Sequence, residues 1–448
     1  MAGTNVASSF SSDIENYIAD ETLPLARRQL IAYQFGDPLV LPQGRGTTYT
    51  AFRYNRVALP FAPLSEGVAP IGQSMTIASV SAVAQQWGDR VTITDVAELT
   101  IKHPLFKKAT ELVSLQLAET LERNCFNSLM AGTQVNFVNT RGSRSALLAG
   151  DVLDTTTVIR TNAALETIGA PRYMGDEQLD TKQDLDAGGS RASDNPRAMP
   201  HYAALVHPLV VADFRQQATV ITAWSYSDIN RLYNYEVGEW AGIRFCKSNL
   251  VPSFTGVAQI TGTPGTSGAL ATNNYFIVVT ASDTQNQYES RVYQVSGSLA
   301  VTGPTGSIAV TLPALVGFTF NVYIGLTSSP ANLGVSAAGP TNGPLLGQAT
   351  QLAPNQTVVI TGIGAAQTPP AAPATGLTVY PTFVLGRGAY GQVVLDNAKF
   401  SYLTGADKSD PLNQLRIVGW KAFYGTLIEN QLFFARIEST SAFSAVFG

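Results

Sequence analysis

Three histidines, two cysteines and one run of carboxylates are the residues of this chain best suited to chemistry. His201 and His207 flank the run YAALV, and at six residues apart they point to one face of a strand, where two imidazoles could begin a metal site. No third ligand is placed beside them, so ordinary structural histidines are the expectation. His103 precedes Pro104 at a helix start and reads as a capping residue. Residues 174–196 carry Asp176, Glu177, Asp180, Asp184 and Asp186, oxygens of the kind a divalent cation takes. Their spacing is not that of a calcium-binding helix–loop–helix, and a solvated loop is expected instead. Cys125 and Cys246 give no disulfide framework. The segment Gly386-Arg387-Gly388-Ala389-Tyr390-Gly391 lacks phosphate-loop spacing and a following lysine, and reads as a turn. The chain has no nucleophile elbow, dinucleotide fingerprint or paired-cysteine zinc motif. No activated nucleophile or acid–base pair converges. The expectation is no enzyme, no cofactor and no metal.

Composition narrows the remaining classes. Charged residues are 13% of the chain, against about 25% in ordinary soluble proteins. Two accounts stand side by side: surface buried between subunits, or a β-rich chain that exposes Thr, Ser and Asn. The net charge is −4, and no basic cluster exceeds Arg27-Arg28 or Lys107-Lys108, so nothing marks a phosphate-gripping surface. No apolar run reaches the roughly 18 residues of a membrane span. The opening MAGTNVASSFSSDIENY lacks the basic start and apolar core of a signal peptide, and assembly in a reducing cytoplasm is expected.

The elements follow from periodicity and punctuation. Residues 1–43 read as an N-terminal arm, with a short helix starting at Ser12-Asp13 and later regularity cut by Pro24, Pro38 and Pro42. Residues 44–95 read as a long β-hairpin. Two extended runs, 47–59 and 74–95, flank a tip punctuated by Pro60, Pro63, Gly67, Pro70 and Gly72. A run of about 13 residues reaches roughly 40 Å at about 3.3 Å per residue, and an isolated two-stranded hairpin is marginal in water. Such an arm needs something to lie on, plausibly another copy of the chain. Pro104 opens a helix to about Ala131. Leu105, Ala109, Val113, Leu117, Leu121 and Cys125 form its apolar stripe, with Leu112, Ala118 and Leu129 beside it, and Lys107, Lys108, Glu111, Glu119, Glu122 and Arg123 occupy much of the rest. A second helix is expected at 155–168, a strand at 202–207, a helix from Pro208 to about Gln217, and a strand pair turning at Ala241-Gly242. Between Val251 and Thr375 the only charges are Asp283, Glu289 and Arg291, and short strand-like runs alternate with turns, as in a β-sandwich. Charge returns after the stiff exit QTPPAAPATG. A strand follows at 378–386, then two apolar runs between Trp420 and Ile437, broken near Gly425. These last strands are expected to close a sheet opened much earlier, which makes 251–376 an insertion.

Several phrases, in order, resemble the major capsid protein of tailed bacteriophages, the Hong Kong 97 fold superfamily. They are Phe52-Arg53-Tyr54-Asn55-Arg56, Pro63-Leu64-Ser65-Glu66-Gly67, Gln85-Gln86-Trp87-Gly88, Gly242-Ile243-Arg244-Phe245 with Ser248-Asn249-Leu250-Val251-Pro252, and Asp410-Pro411-Leu412-Asn413-Gln414 with Val418-Gly419-Trp420-Lys421. The likeness covers residues 10–252 and 377–440. It implies an α+β coat fold: arm 1–43, extended loop 44–95, peripheral and central domains from 96–250 and 377–448 with a long spine helix. The insert 251–376 resembles immunoglobulin-like or fibronectin-type-III-like domains. The implied function is a self-assembling icosahedral shell around double-stranded DNA. Its partners would be copies of itself in hexamers and pentamers, the portal and other virion proteins, and DNA held without sequence-specific binding. No membrane is implied, the location is the virion, and assembly takes place in the host cytoplasm. A surface-binding or adhesin-like role through the sandwich, and an encapsulin-like cargo compartment, are the alternatives. Candidate intersubunit contacts are Arg53, Asn55, Arg56 and Glu66.

Some coats of this superfamily cross-link through a lysine of the extended loop. No lysine precedes Lys102 here. Denaturing electrophoresis of assembled particles should therefore show single chains; a covalent ladder mapping to 44–95 would refute this.

Overall fold

The computed structural model describes residues 30–42, 44–59, 63, 72–100, 104–173, 200–217, 219–220, 233–283, 289–328, 334–336, 352–403 and 414–444. The expected helix near Ser12, the acidic segment 174–196, His103 and the phrase at 410–413 lie outside these residues. In chain order the first elements are strands β1 (Asp37–Val40), β2 (Thr48–Tyr54), β3 (Ile77–Val83) and β4 (Gln85–Thr94), helices α1 (Asp95–Thr100) and α2 (Leu105–Met130), and β5 (Val135–Phe137). Then come α3 (Thr155–Ile168), β6 (Tyr202–Val206), α4 (Pro208–Arg215), β7 (Glu236–Trp240), β8 (Ile243–Lys247) and β9 (Phe254–Val257). A strand-rich stretch follows: β10 (Gly262–Leu270), β11 (Asn273–Asp283), β12 (Glu289–Tyr293), β13 (Leu299–Val301), β14 (Gly306–Thr311), β15 (Phe318–Gly325), β16 (Gly334–Ser336), β17 (Thr357–Ile360) and β18 (Ile363–Ala366). The chain finishes with β19 (Thr378–Leu385), β20 (Tyr390–Leu403), β21 (Leu415–Ile428) and β22 (Phe434–Thr440). This is a mixed α+β chain.

Two compact units divide the described residues. Those of Gln86–Ala118 and Asp396–Ala422 form one, and those of Gln29–Gln85, Glu119–Leu395 and Phe423–Gly448 form the other. In the smaller unit β4 pairs with β21, and Asp95 donates its N–H to Gln414 O at 2.9 Å where the chain turns into α1. Gln116 on α2 joins both strands: its Nε2 donates to Asp89 Oδ2 at 2.6 Å, and its Oε1 accepts from Trp420 Nε1 at 3.1 Å. Arg416 and Glu98 pair at 2.8 Å.

The larger unit is built on a sheet whose centre joins distant parts of the sequence. β22 pairs antiparallel with β19 from Val379↔Thr440 to Leu385↔Phe434 and parallel with β5. β19 also pairs with β6, and β6 runs parallel to β8. The β7–β8 turn has Ala241 at φ 50° and Gly242 at φ 71°. Two consecutive positive φ values are what a two-residue hairpin needs to match strand twist. Helix α3 is capped by Asp154, whose carboxylate accepts from Thr157 N at 3.2 Å, and ends at Gly169 in the left-handed region, φ 74°. Val158 and Leu165 of α3 and Val210 and Phe214 of α4 pack with Tyr202, Ala204, Val384 and Ile437 into one buried cluster.

Within 251–376, β10, β14 and β17 form a three-stranded sheet. β11 and β15 pair over eight residues, Phe276↔Gly325 to Asp283↔Phe318. Ile308, Val310 and Ile360 from the first sheet and Ile277, Val279, Phe320 and Val322 from the second share a core, as facing sheets do. The hydrogen bonding does not stop at the segment's edge: β12 pairs with β9, and β9 with β19 at Thr255↔Thr378.

The observed strands correct several expectations. The apolar run 74–95 is two strands, because β3 pairs with β2 while β4 joins β21. The chain is not broken at Gly425. β21 runs through it, and the interruption is the 3₁₀ turn Gln431–Phe433. Gly425 is needed because a Cβ there would stand 2.7 Å from Val83 O. On α2, Leu112 is 54% exposed rather than buried beside the stripe. Strand β20 was hidden by its mixed, polar composition.

His207 caps α4: its Nδ1 accepts from Leu209 N at 3.3 Å, and its ring stacks on Tyr380 with centroids 4.6 Å apart. Burial pushes its pKa down from 6.5 to about 4. The folded chain thus binds this proton less readily than the unfolded chain. Stability is full above the ordinary value and is lost as pH falls from about 6.5 towards about 4. Denaturant titrations across that window should show the loss, and His207→Asn, which keeps an acceptor at the cap, should remove this part of it. An unchanged pH slope in His207→Asn would refute the assignment.

Candidate assembly surface

The surface that protrudes from this fold begins at a buried carboxylate. Glu122 is only 1% exposed on α2. Its Oε1 accepts from Ile31 N at 2.6 Å and Ala32 N at 2.7 Å, and its Oε2 from Tyr33 N at 3.1 Å. The reason is local: Ala32–Phe35 is a 3₁₀ turn, and the leading N–H groups of any helical turn lack partners within it. The carbonyls of the same segment are met from elsewhere. Tyr390 Oη donates to Ala32 O, Gln392 Nε2 to Tyr33 O at 2.8 Å, and Tyr173 Oη to Phe35 O at 3.1 Å. Phe35 is buried against Tyr233 and Tyr173, with centroids at 4.7 and 5.7 Å. Burial raises the Glu122 carboxyl above its ordinary value, partly offset by the three backbone N–H groups. Beside it, burial also pushes the Cys125 thiol up, and its sulfur lies 3.1 Å from Tyr424 Oη. That thiol is inert.

From this seat the chain runs into β1, which pairs in parallel with β20 from Asp37↔Gly391 to Val40↔Val394. β2 and β3 then form a seven-rung antiparallel ladder, Thr48↔Val83 to Tyr54↔Ile77. At the root, Tyr49, Val80 and Ala82 pack with Leu41, Val393 and Leu427. Farther out this packing ends. Phe52 is 69% exposed, Tyr54 63% and Leu59 83%, and Met75 and Ile77 are exposed as well. A bare two-stranded ladder with an open apolar face is marginal in water by itself.

Of the candidate contacts, Arg53 lies on this ladder, Asn55 and Arg56 just beyond it, and Glu66 outside the described residues. Arg53 is the last rung but one, and Arg56 follows the ladder; both are exposed. Asn55 is used within the hairpin, where its Nδ2 donates to Thr76 Oγ1 and its N–H to Thr76 O, each at 3.0 Å. The other polar candidates are dispersed. His201 is buried with Nε2 3.0 Å from Tyr233 Oη, while His207 belongs to the α4 cap, so the two have different neighbours. Among the described residues, no group of three or more His, Cys, Asp or Glu is placed to hold a metal, and no helix is long and apolar enough to cross a membrane.

Sequence reasoning missed two functional positions in this framework. Glu122 was assigned to the polar side of α2, although it lies at stripe spacing between Ala118, Cys125 and Leu129. A carboxylate inside an apolar stripe was the available signal. The second is a buried trio. Arg144 holds Glu438 through Nε at 2.7 Å and Nη2 at 2.6 Å and donates Nη1 to Ala371 O at 3.0 Å. Arg436 pairs with the same Glu438 at 3.1 Å and donates to Met130 O at 2.6 Å, closing the carbonyl end of α2. No local pattern links Arg144 to Glu438, because 294 residues separate them.

Comparison with known proteins adds the following. No protein-family model matches the sequence, and no curated protein does. Three similar structures are phage capsids. The chain is similar to the capsid of Ralstonia phage GP4, at 7% identity over 98% of both chains with a TM-score of 0.49. It is likewise similar to the capsid asymmetric unit of cyanophage Pam1, at 10% identity over 99% of this chain and 100% of that one, TM-score 0.49. The capsid of cyanophage P-SCSP1u is similar at 14% identity over 97% and 94%, TM-score 0.48.

Glu122→Leu should leave the N–H groups of Ile31, Ala32 and Tyr33 buried without acceptors. At about 1–3 kcal/mol for each unsatisfied buried group, the loss should be at least about 3 kcal/mol. Limited proteolysis should then cut near residues 31–36. Wild-type stability with an uncut segment would show that this carboxylate is dispensable.

Proposed function

We propose that this chain is the major shell subunit of a tailed phage, closing with copies of itself into an icosahedral capsid around double-stranded DNA. The observation that carries this reading is the outer half of the hairpin: a ladder, apolar on the outside, with no second layer from its own chain among the described residues. The phrases that resemble phage coats fall on coherent elements: Phe52-Arg53-Tyr54 ends β2, Gln85-Gln86-Trp87-Gly88 opens β4, Ile243-Arg244-Phe245 starts β8, and Val418-Gly419-Trp420-Lys421 lies in β21. Each hairpin lies over the next subunit in a head-to-tail contact, and such contacts close into rings when the rotation closes, here hexamers and pentamers. Phe52, Tyr54, Leu59 and Met75 supply the apolar part. Arg56 and Glu66 are the charges left for a neighbour's rim, where exposed pairs contribute only about 0–1 kcal/mol each. The shell is therefore held by burial more than by ions. The segment 251–376 faces outward as a surface decoration, and the shell meets the portal and other virion proteins while holding DNA without reading its sequence. The subunit does no chemistry and assembles in the host cytoplasm.

Deleting residues 55–75 removes the tip, with Leu59 and Met75, and spares the seven-rung ladder. The purified variant should stay soluble and form no shells in electron micrographs, where the intact chain forms DNA-containing particles in the host. Normal particles from the deletion would sink the reading.

A further inference from the structure

We infer that the face of β2 opposite Phe52 and Tyr54 acts as a strap that closes on its own subunit, with Arg53 as the clasp and Glu429 and Asp37 as the catch. Alternate residues on a strand share a face. Tyr49, Ala51 and Arg53 therefore line one face of β2, opposite Ala82, Val80 and Ala78 in the ladder register. Along that face Tyr49, Ala82 and Val80 are packed onto Leu41, Val393 and Leu427. At Ala51 and Val80 the packing gives way to a cleft of about 430 Å³, and the next rung is Arg53. The far wall carries Asp37, Arg387, Glu429 and Phe433.

The charges of this cleft are incomplete. Glu429 Oε1 is buried and accepts no hydrogen bond. Among the described residues, neither Glu429, Asp37 nor Arg53 makes an ion pair. Burial raises both carboxyls above their ordinary values, and Asp37 raises Glu429 further, whereas Arg387 relieves only Asp37. Two carboxyls sharing a cleft favour a cation between them, and a guanidinium can donate to both. Arg53 is the cation already mounted on the opposite wall. Its closure would satisfy Glu429, expel water from the cleft and extend the apolar zipper by one rung. Arg53 thereby gains a partner inside its own subunit, whatever that subunit assembles into.

The test is run on the soluble subunit, so it does not depend on shell formation. Hydrogen exchange of the β2 and β3 amides reads how far the strap is closed. Arg53→Glu should speed that exchange roughly 1.5- to fivefold, the range expected for losing one partly exposed ion pair. The charge swap Arg53→Glu with Glu429→Arg should restore it. Unchanged exchange in Arg53→Glu, or a swap no better than the single variant, would each overturn the inference.

Discussion

The path of this chain into its hairpin hangs from one buried carboxylate. The segment from Ile31 to Phe35 arrives as a single helical turn with unpaired N–H groups, and Glu122 is the acceptor placed to meet three of them. Without it the turn would have to stay in water, because unpaired backbone groups are costly to bury. With it, Phe35 can sink among Tyr173 and Tyr233, and the direction of β1 is set. Since β1 leads directly into β2, the same carboxylate fixes where the hairpin leaves the body. The stretch is an example of polar groups being buried only as a complete set: N–H groups by Glu122, carbonyls by Tyr390, Gln392 and Tyr173.

A second set of buried charges performs the same task at the C-terminal end of α2. Arg436 satisfies carbonyls at the helix end while sharing Glu438 with Arg144. Arg144 in turn reaches Ala371, on the exit from the strand-rich segment, and lies 4.2 Å over the Phe254 ring on its entry side. One carboxylate thus ties the helix end, the last strand and both flanks of 251–376. Such a cluster is not a strong source of stability, since desolvation takes back much of the attraction. Removing one member, by contrast, leaves a buried charge without its partner, which is strongly destabilising.

The sequence made the local elements legible wherever a period and a boundary residue agreed. α2 begins after Pro104, α3 ends at Gly169, and the β7–β8 turn falls at Ala241-Gly242. It was misleading where one residue type had two readings. Gly425 looked like a break but marks a close approach of backbones, and Glu122 looked like solvent-facing charge but is an acceptor for a segment about 90 residues earlier. β10, built largely of Gly, Thr, Pro and Ser, has little strand propensity and exists because β14 is there to pair with it. Arg53 was recognisable as a hairpin charge. The carboxylates opposite it were not, because Asp37 and Glu429 are brought together only by the pairing of β1 and β20 and the end of β21.

The two ends of the strand-rich segment meet. Gly256 N donates to Leu377 O at 2.9 Å and Gly376 N to Gly256 O at 2.8 Å, so entry and exit lie side by side on the edge of β19. A segment of any length can be accommodated between such points, because its loop-closure cost grows only slowly with length and the surrounding sheet is not asked to move. For the same reason the true seam lies beyond β9: a shorter or foreign module spliced in after Val257 and before Pro373 would inherit a ready-made docking strand, whereas one spliced in at Val251 would take away a strand that the body itself uses.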